Sequence, residues 1–239
     1  GDPDAKRGLV ALRAVADGGA DVIELGIPFS DPMADGAVIQ QAGNRALAAG
    51  IHLPEIFAMV RAFRVDDDTP VLLMTYWNPV LQYGIGPACA DARAAGIDGV
   101  LIVDLPPEEA GNWLAASRPA GLDTIFLLAP TSPESRIRLV AEEGGGFIYC
   151  VARLGVTGAR ADLPPDLFPL IEKIKSITDK PVAVGFGLST PDQIATVCAH
   201  ADGAVVGSAL VKVIAEHSDG DLAGAVRGYV GELKAATKK

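Results

Sequence analysis

Seven short apolar runs recur along the chain, each followed by a loop and then by a stretch whose apolar residues return at helical spacing. The runs are DVIELGI (21–27), PVLLMTY (70–76), DGVLIVD (98–104), DTIFLLA (123–129), GFIYCVA (146–152), PVAVGFG (181–187) and GAVVGSA (203–209). They are nearly continuous in Val, Ile and Leu, the pattern of strands covered on both faces. The stretches between them are Ala-rich and amphipathic, among them 6–17, 54–64, 86–95, 108–118, 133–143, 165–177 and 191–199. Ser132-Pro133 and Thr190-Pro191-Asp192 place proline at the first helical position. Gly18-Gly19, Gly96, Gly121 and Gly144 stand where helices should end. Strand–helix alternation of this kind implies right-handed crossovers and a parallel sheet. No linker or charge block divides the sequence, so residues 1–239 read as one domain.

A closed (β/α)8 barrel needs eight strands. This sequence offers seven and opens with a helix directly after Gly1-Asp2-Pro3. Two architectures fit: a TIM barrel whose first strand is missing from this chain, and an open, seven-stranded, doubly wound sheet. Glycine-rich loops after the last two strands favour the barrel, since phosphate sites of that fold form there.

Composition narrows the class of partner. Hydrophobic residues make up 49% of the 239 positions and aromatics only 5%, so the core must be mostly aliphatic. A net charge of −10 argues against nucleic acid or an anionic membrane, both of which need a basic face. A small anion remains possible, because backbone N–H groups can bind it locally. Cys89, Cys150 and Cys198 are odd in number and scattered, which fits a reduced, cytoplasmic protein better than a disulfide framework. No apolar run reaches the ~18–20 residues of a membrane span.

The chemistry centres on VIELGIPFSDPMADG (22–36). Side chains alternate along a strand, so Val22, Glu24 and Gly26 share one face. An inward carboxylate near the C-terminal end of a barrel strand sits where barrel active sites lie, and burial would raise its pKa toward neutrality. A structural ion pair is the bland alternative. Asp35, at the tip of the following loop, is equally consistent with an ordinary Asp-Gly turn. VGFGLSTP (184–191) and VVGSALVK (205–212) both run from strand to glycine loop to helix start. Gly185, Gly187 and Gly207 permit close backbone approach and Ser208 can donate a hydroxyl, which suits phosphate. RLGVTGARADLP (153–164) is long enough to be a lid, or simply a solvated loop. No lysine lies at the C-terminal end of a strand, and His52, His200 and His217 are dispersed. Schiff-base and metal chemistry are therefore disfavoured. Carboxylates remain, with Tyr149 and Thr157 as helpers.

These stretches, with LLMTYWNP (72–79), GVLIVDLPPEE (99–109) and DGAVVGSALVKVI (202–214), closely resemble the tryptophan synthase alpha subunit family across essentially the whole chain. The resemblance implies a TIM barrel and retro-aldol cleavage of indole-3-glycerol phosphate to indole and glyceraldehyde 3-phosphate. It implies Glu24 as proton carrier and Asp35 as partner of the indole N–H. Gly158, Phe186, Gly187, Gly207 and Ser208 match the family's phosphate site. Tyr149 matches a tyrosine near the catalytic glutamate, Thr157 a lid threonine, and Met74 and Tyr76 lie on a strand lining the indole pocket. The resemblance further implies no cofactor in this chain and an αββα complex whose beta subunit holds pyridoxal phosphate. The contact surface would include the 28–32 loop and Asn78-Pro79. Two departures stand out: the family's first helix and strand are missing ahead of Gly1, and Ala152 stands where relatives often carry Ser. The other functions weighed are a catalytically weak fragment that only binds and regulates a beta subunit, and another phosphate-binding barrel enzyme with no need of Asp35.

Overall fold

A computed structural model of the chain describes residues 1–152, 164–185 and 187–237. It begins with α1 (Ala5–Asp17), β1 (Ile23–Gly26), α2 (Ala37–Ala48), α3 (Leu53–Phe63), β2 (Val71–Thr75), α4 (Trp77–Tyr83), α5 (Ile85–Ala95) and β3 (Gly99–Ile102). A 3-10 turn at Pro107–Glu109 leads into α6 (Gly111–Ser117), β4 (Asp123–Ile125), β5 (Leu127–Leu128), α7 (Glu134–Glu143) and β6 (Ile148–Val151). The chain closes with α8 (Leu167–Lys175), β7 (Val182–Gly185), α9 (Pro191–Cys198), β8 (Gly203–Ala204), α10 (Ser208–Glu216) and α11 (Leu222–Ala235). The run at 123–129 is one strand interrupted at Phe126, whose ring is buried among the helices.

Strand order separates the two candidate architectures. All pairing is parallel and follows chain order within two sheets, β1-β2-β3-β4 and β5-β6-β7-β8, with β4 and β5 being consecutive pieces of one strand run. A doubly wound sheet reverses its strand order at a switch point; a barrel does not. Register then sorts the side chains. Glu24 pairs with Leu72, Leu72 with Gly99 and Gly99 with Asp123, so these four share one layer. Gly26, Met74, Leu101 and Ile125 form the next. Leu127, Tyr149, Ala183 and Gly203 line the opposite wall, with Val151 and Gly185 above them. Leu72, Leu101, Ile125, Tyr149 and Val151 accordingly form a small core of their own, separate from the large aliphatic core between strands and helices. Two cores, one inside the strand ring and one outside it, are the signature of a barrel.

The seam between β8 and β1 is different. Among the described residues each of these two strands is paired on one side only. The helices outside them close the ring instead, with α1 packed on α11 and α2 on α10. A cavity of about 1030 Å³ runs along this seam. α10 is apolar in sequence yet has no fully buried residue, because its inner face looks into that space.

The element starts follow local chemistry. Thr190 accepts from the Gln193 N–H and the Gln193 side chain reaches back, so α9 opens on a complete capping box with Pro191 at its first position. Pro133 stands one residue earlier than expected, as the N-cap of α7 rather than its first residue. Gly96 closes α5 at φ 90°, a left-handed conformation that glycine adopts without penalty.

Candidate active site

Glu24, Asp35, Met74, Tyr76, Tyr149, Gly187, Gly207 and Ser208 all line the large cavity at the seam. Gly158, Phe186 and Thr157 lie outside the described residues. Glu24 projects inward from β1, as its register with Leu72 requires. Glu24 is half-buried and lines the cavity, and desolvation pushes its pKa up to about 7. Tyr149 faces it across the interior, 3% exposed. Burial first, and the nearby Glu24 carboxylate second, hold the Tyr149 phenol well above its ordinary pKa, so it stays a proton donor. Gly185 makes room for that ring: a Cβ there would sit 2.3 Å from the Tyr149 hydroxyl. A Cβ on Gly26 would meet nothing within 4 Å, so the β1 side of the interior stays open for a ligand.

Asp35 is held differently from a turn tip. Gly36 is the N-cap of α2, so Asp35 directly precedes a helix start, and Gln40 Nε2 donates to the Asp35 carbonyl at 2.7 Å. The Tyr76 hydroxyl bonds the Asp35 carboxylate and accepts the Ala34 N–H at 3.1 Å. Partial burial raises the Asp35 pKa, and the Tyr76 bond offsets part of that rise. Tyr76 itself lies one residue beyond β2, as the N-cap of α4, and not on the strand. It is 4% exposed, with its ring 5.5 Å from that of Phe29. Met74 is on β2, packed against the inner core.

The α10 start, which lines the same cavity, suits an anion. Gly207 is the N-cap of α10 and no side chain caps that end, which leaves the first-turn N–H groups available to a phosphate. A Cβ at Gly207 would meet nothing within 4 Å, and Gly187 has φ 98°. Ser208 is the first residue of α10, as its position in the sequence implies. The helix α2, the role of Gln40 and the Phe29–Tyr76 ring pair are not visible in the sequence pattern. Only the amphipathic run that starts at Ala37 could have signalled α2.

Fold and site together define a (β/α)-barrel protein in which two carboxylates and an uncapped helix N-terminus line the same cavity. The family described as tryptophan synthase alpha chain matches residues 1–238. The alpha chain of Geotalea uraniireducens is 51% identical over 238 residues, spanning 100% of this chain and 89% of that protein. That of Geobacter sulfurreducens is 50% identical over 236 residues, spanning 99% and 89%. Among solved structures, tryptophan synthase subunit alpha from Legionella pneumophila superposes with a TM-score of 0.91 at 39% identity, covering 99% of this chain and 89% of that one. The tryptophan synthase a2b2 complex of Pyrococcus furiosus superposes with a TM-score of 0.91 at 41% identity, covering 98% and 94%. This chain belongs to the tryptophan synthase alpha chain family.

Proposed function

We infer that the chain is the carbon–carbon lyase of tryptophan biosynthesis that cleaves indole-3-glycerol phosphate to indole and glyceraldehyde 3-phosphate, working with a beta subunit. Our assignment of roles within the site rests on one observation: a carboxyl with a pKa near 7 and a second, anchored carboxylate line the same cavity as an uncapped helix start.

Indole carbanion is a poor leaving group, so the ring must be protonated at C3 before the C–C bond breaks. Glu24, with its raised pKa, is protonated often enough near neutrality to deliver that proton. The resulting carboxylate then takes the proton of the adjacent side-chain hydroxyl as that carbon becomes the aldehyde and indole leaves. Asp35 accepts a hydrogen bond from the ring N–H and stabilises the positive charge that C3 protonation places there. Tyr149 donates from above Glu24, and Met74 and Tyr76 supply wall to the indole. The substrate phosphate sits at Gly187, Gly207 and Ser208, balanced by the α10 dipole. Gly158, Phe186 and Thr157 enter by family resemblance alone, the first two at the phosphate and Thr157 in a lid. The reading calls on no cofactor here; pyridoxal phosphate belongs to the beta subunit. The 28–32 loop and Asn78-Pro79 form part of the surface toward that subunit. Met33, beside the loop, is 72% exposed, as an apolar residue awaiting a partner would be. No single helix among the described residues is long and apolar enough to cross a membrane.

Single-turnover release of indole from indole-3-glycerol phosphate tests the assignment. Asp35→Asn should slow release by roughly 10- to 100-fold, the worth of a charge-assisted hydrogen bond. Full activity in Asp35→Asn would instead favour a different reaction in this barrel.

A further inference from the structure

Tyr76 ties Asp35 into the site and must itself be held in place. Its phenol does two things at once, accepting the Ala34 N–H at 3.1 Å and bonding the Asp35 carboxylate. Both depend on where its backbone stands. That backbone is the N-cap of a short helix, α4, and the Tyr76 side chain, turned into the cavity, does not cap it. An uncapped helix start frays readily. Here one group prevents it: Asp104, two residues past the end of β3, accepts the N–H of Trp77 on its Oδ1 at 2.7 Å. The carboxylate is bonded to the first N–H of the helix, where the dipole also favours negative charge. Backbone bonds tie the same corner together, from Ile27 N–H to the Met74 carbonyl and from Val103 N–H to the Thr75 carbonyl, both at 2.9 Å. The ends of β1, β2 and β3 are thus in register at the point where Tyr76 leaves the sheet.

We propose that Asp104 is a positioning residue for the lyase reaction: by holding the Trp77 N–H it sets the backbone of Tyr76, and through the Tyr76 phenol it sets the Asp35 carboxylate. The proposal rests on the role given above to Asp35. Asp104 lies on the exposed rim and does not line the cavity, so it acts through the chain and not on the substrate. The charged groups felt at the Tyr76 phenol are Asp35 and Asp104 themselves. Losing the Asp104 anchor therefore weakens the bond that holds the Asp35 pKa down, and the acid limb of the rate profile moves to higher pH.

The experiment compares Asp104→Ala and Asp104→Asn in the complex with the beta subunit, alone and combined with Tyr76→Phe. Asp104→Asn keeps an oxygen acceptor for the Trp77 N–H and should stay within about threefold of the parent. Asp104→Ala should lose about 10- to 100-fold in kcat/KM, as a small misplacement of a reacting group does. Its acid limb should shift upward. In the Tyr76→Phe background, Asp104→Ala should cost little more, because the path it acts through is already cut. Equal losses in both backgrounds, or an unmoved acid limb, would show that Asp104 merely stabilises α4 and would overturn the proposal. If Asp35→Asn keeps full activity, the reading of the site fails first; if it is impaired while Asp104→Ala is not, only the positioning role fails.

Discussion

At the residue scale the site is a contest between burial and ionisation, and Glu24 carries most of it. Its folded pKa of about 7 lies above the ordinary 4.5, so the native state disfavours the carboxylate. The cost is absent below about pH 4.5, grows as pH rises toward 7, and is complete above that. Glu24→Gln should therefore be more stable than the parent at pH 8, by up to about 3 kcal/mol, with the difference vanishing at pH 4. Denaturant melts at the two pH values check this, and a variant less stable at pH 8 would contradict the assigned burial. Tyr149 and Gly185 form a second residue-scale pair. Gly185→Ala places a methyl 2.3 Å from the Tyr149 hydroxyl and should lower both stability and indole release; an active, unshifted variant would mean the ring has room to move. Glu24 could be read from the sequence because an acid inside an apolar run is costly and calls for a reason. Asp35 could not be: Asp-Gly is an ordinary turn, and the partners that give it a role, Tyr76 and Gln40, come from distant or helical positions that no local pattern reveals.

At the element scale the strands were legible and their ends were not. A buried parallel strand announces itself by a continuous aliphatic run, which is why all seven runs became strand tracks. Their ends depend on where neighbouring strands stop pairing, and the run at 203–209 shrinks to Gly203–Ala204 because Ser208 already opens α10. Tyr76 leaves β2 for the same reason, since α4 begins at Trp77. A seam separates β8 from β1. Its strands lack partners on one side among the described residues, and so should open most easily. Hydrogen exchange should find the amides of β1 and β8 less protected than those of β2, β3, β6 and β7. Uniform protection around the ring would mean that the helices alone, α1 against α11 and α2 against α10, hold the seam shut.

At the scale of the whole molecule the barrel repeats a unit. Pro70 and Pro181 precede β2 and β7, and their carbonyls accept from Ile23 and Ile148, both at 2.8 Å. Asp98 and Asp202 precede β3 and β8, each donating its N–H to the carbonyl of Val71 or Val182 and accepting that residue's N–H on its side chain, at 2.8 and 2.9 Å. A base holds each, Arg64 on Asp98 and Lys175 on Asp202. The same clasp therefore locks the strand starts in both halves. Asp98→Ala and Asp202→Ala should each destabilise by about 1–2 kcal/mol while leaving single-turnover indole release at folded-protein conditions unchanged. A selective loss of activity in either would break this division of stability from chemistry, which the fold as a whole predicts.

The central claim is that Glu24 carries the proton in a metal-free cleavage. The most direct test is single-turnover indole release by the parent and by Glu24→Gln, followed across pH in the complex with the beta subunit. The parent should release indole with a rate that falls as pH rises through about 7, and Glu24→Gln should be slower by about 10²–10⁴-fold at every pH while remaining folded. A folded Glu24→Gln chain that releases indole at the parent's rate would contradict the account.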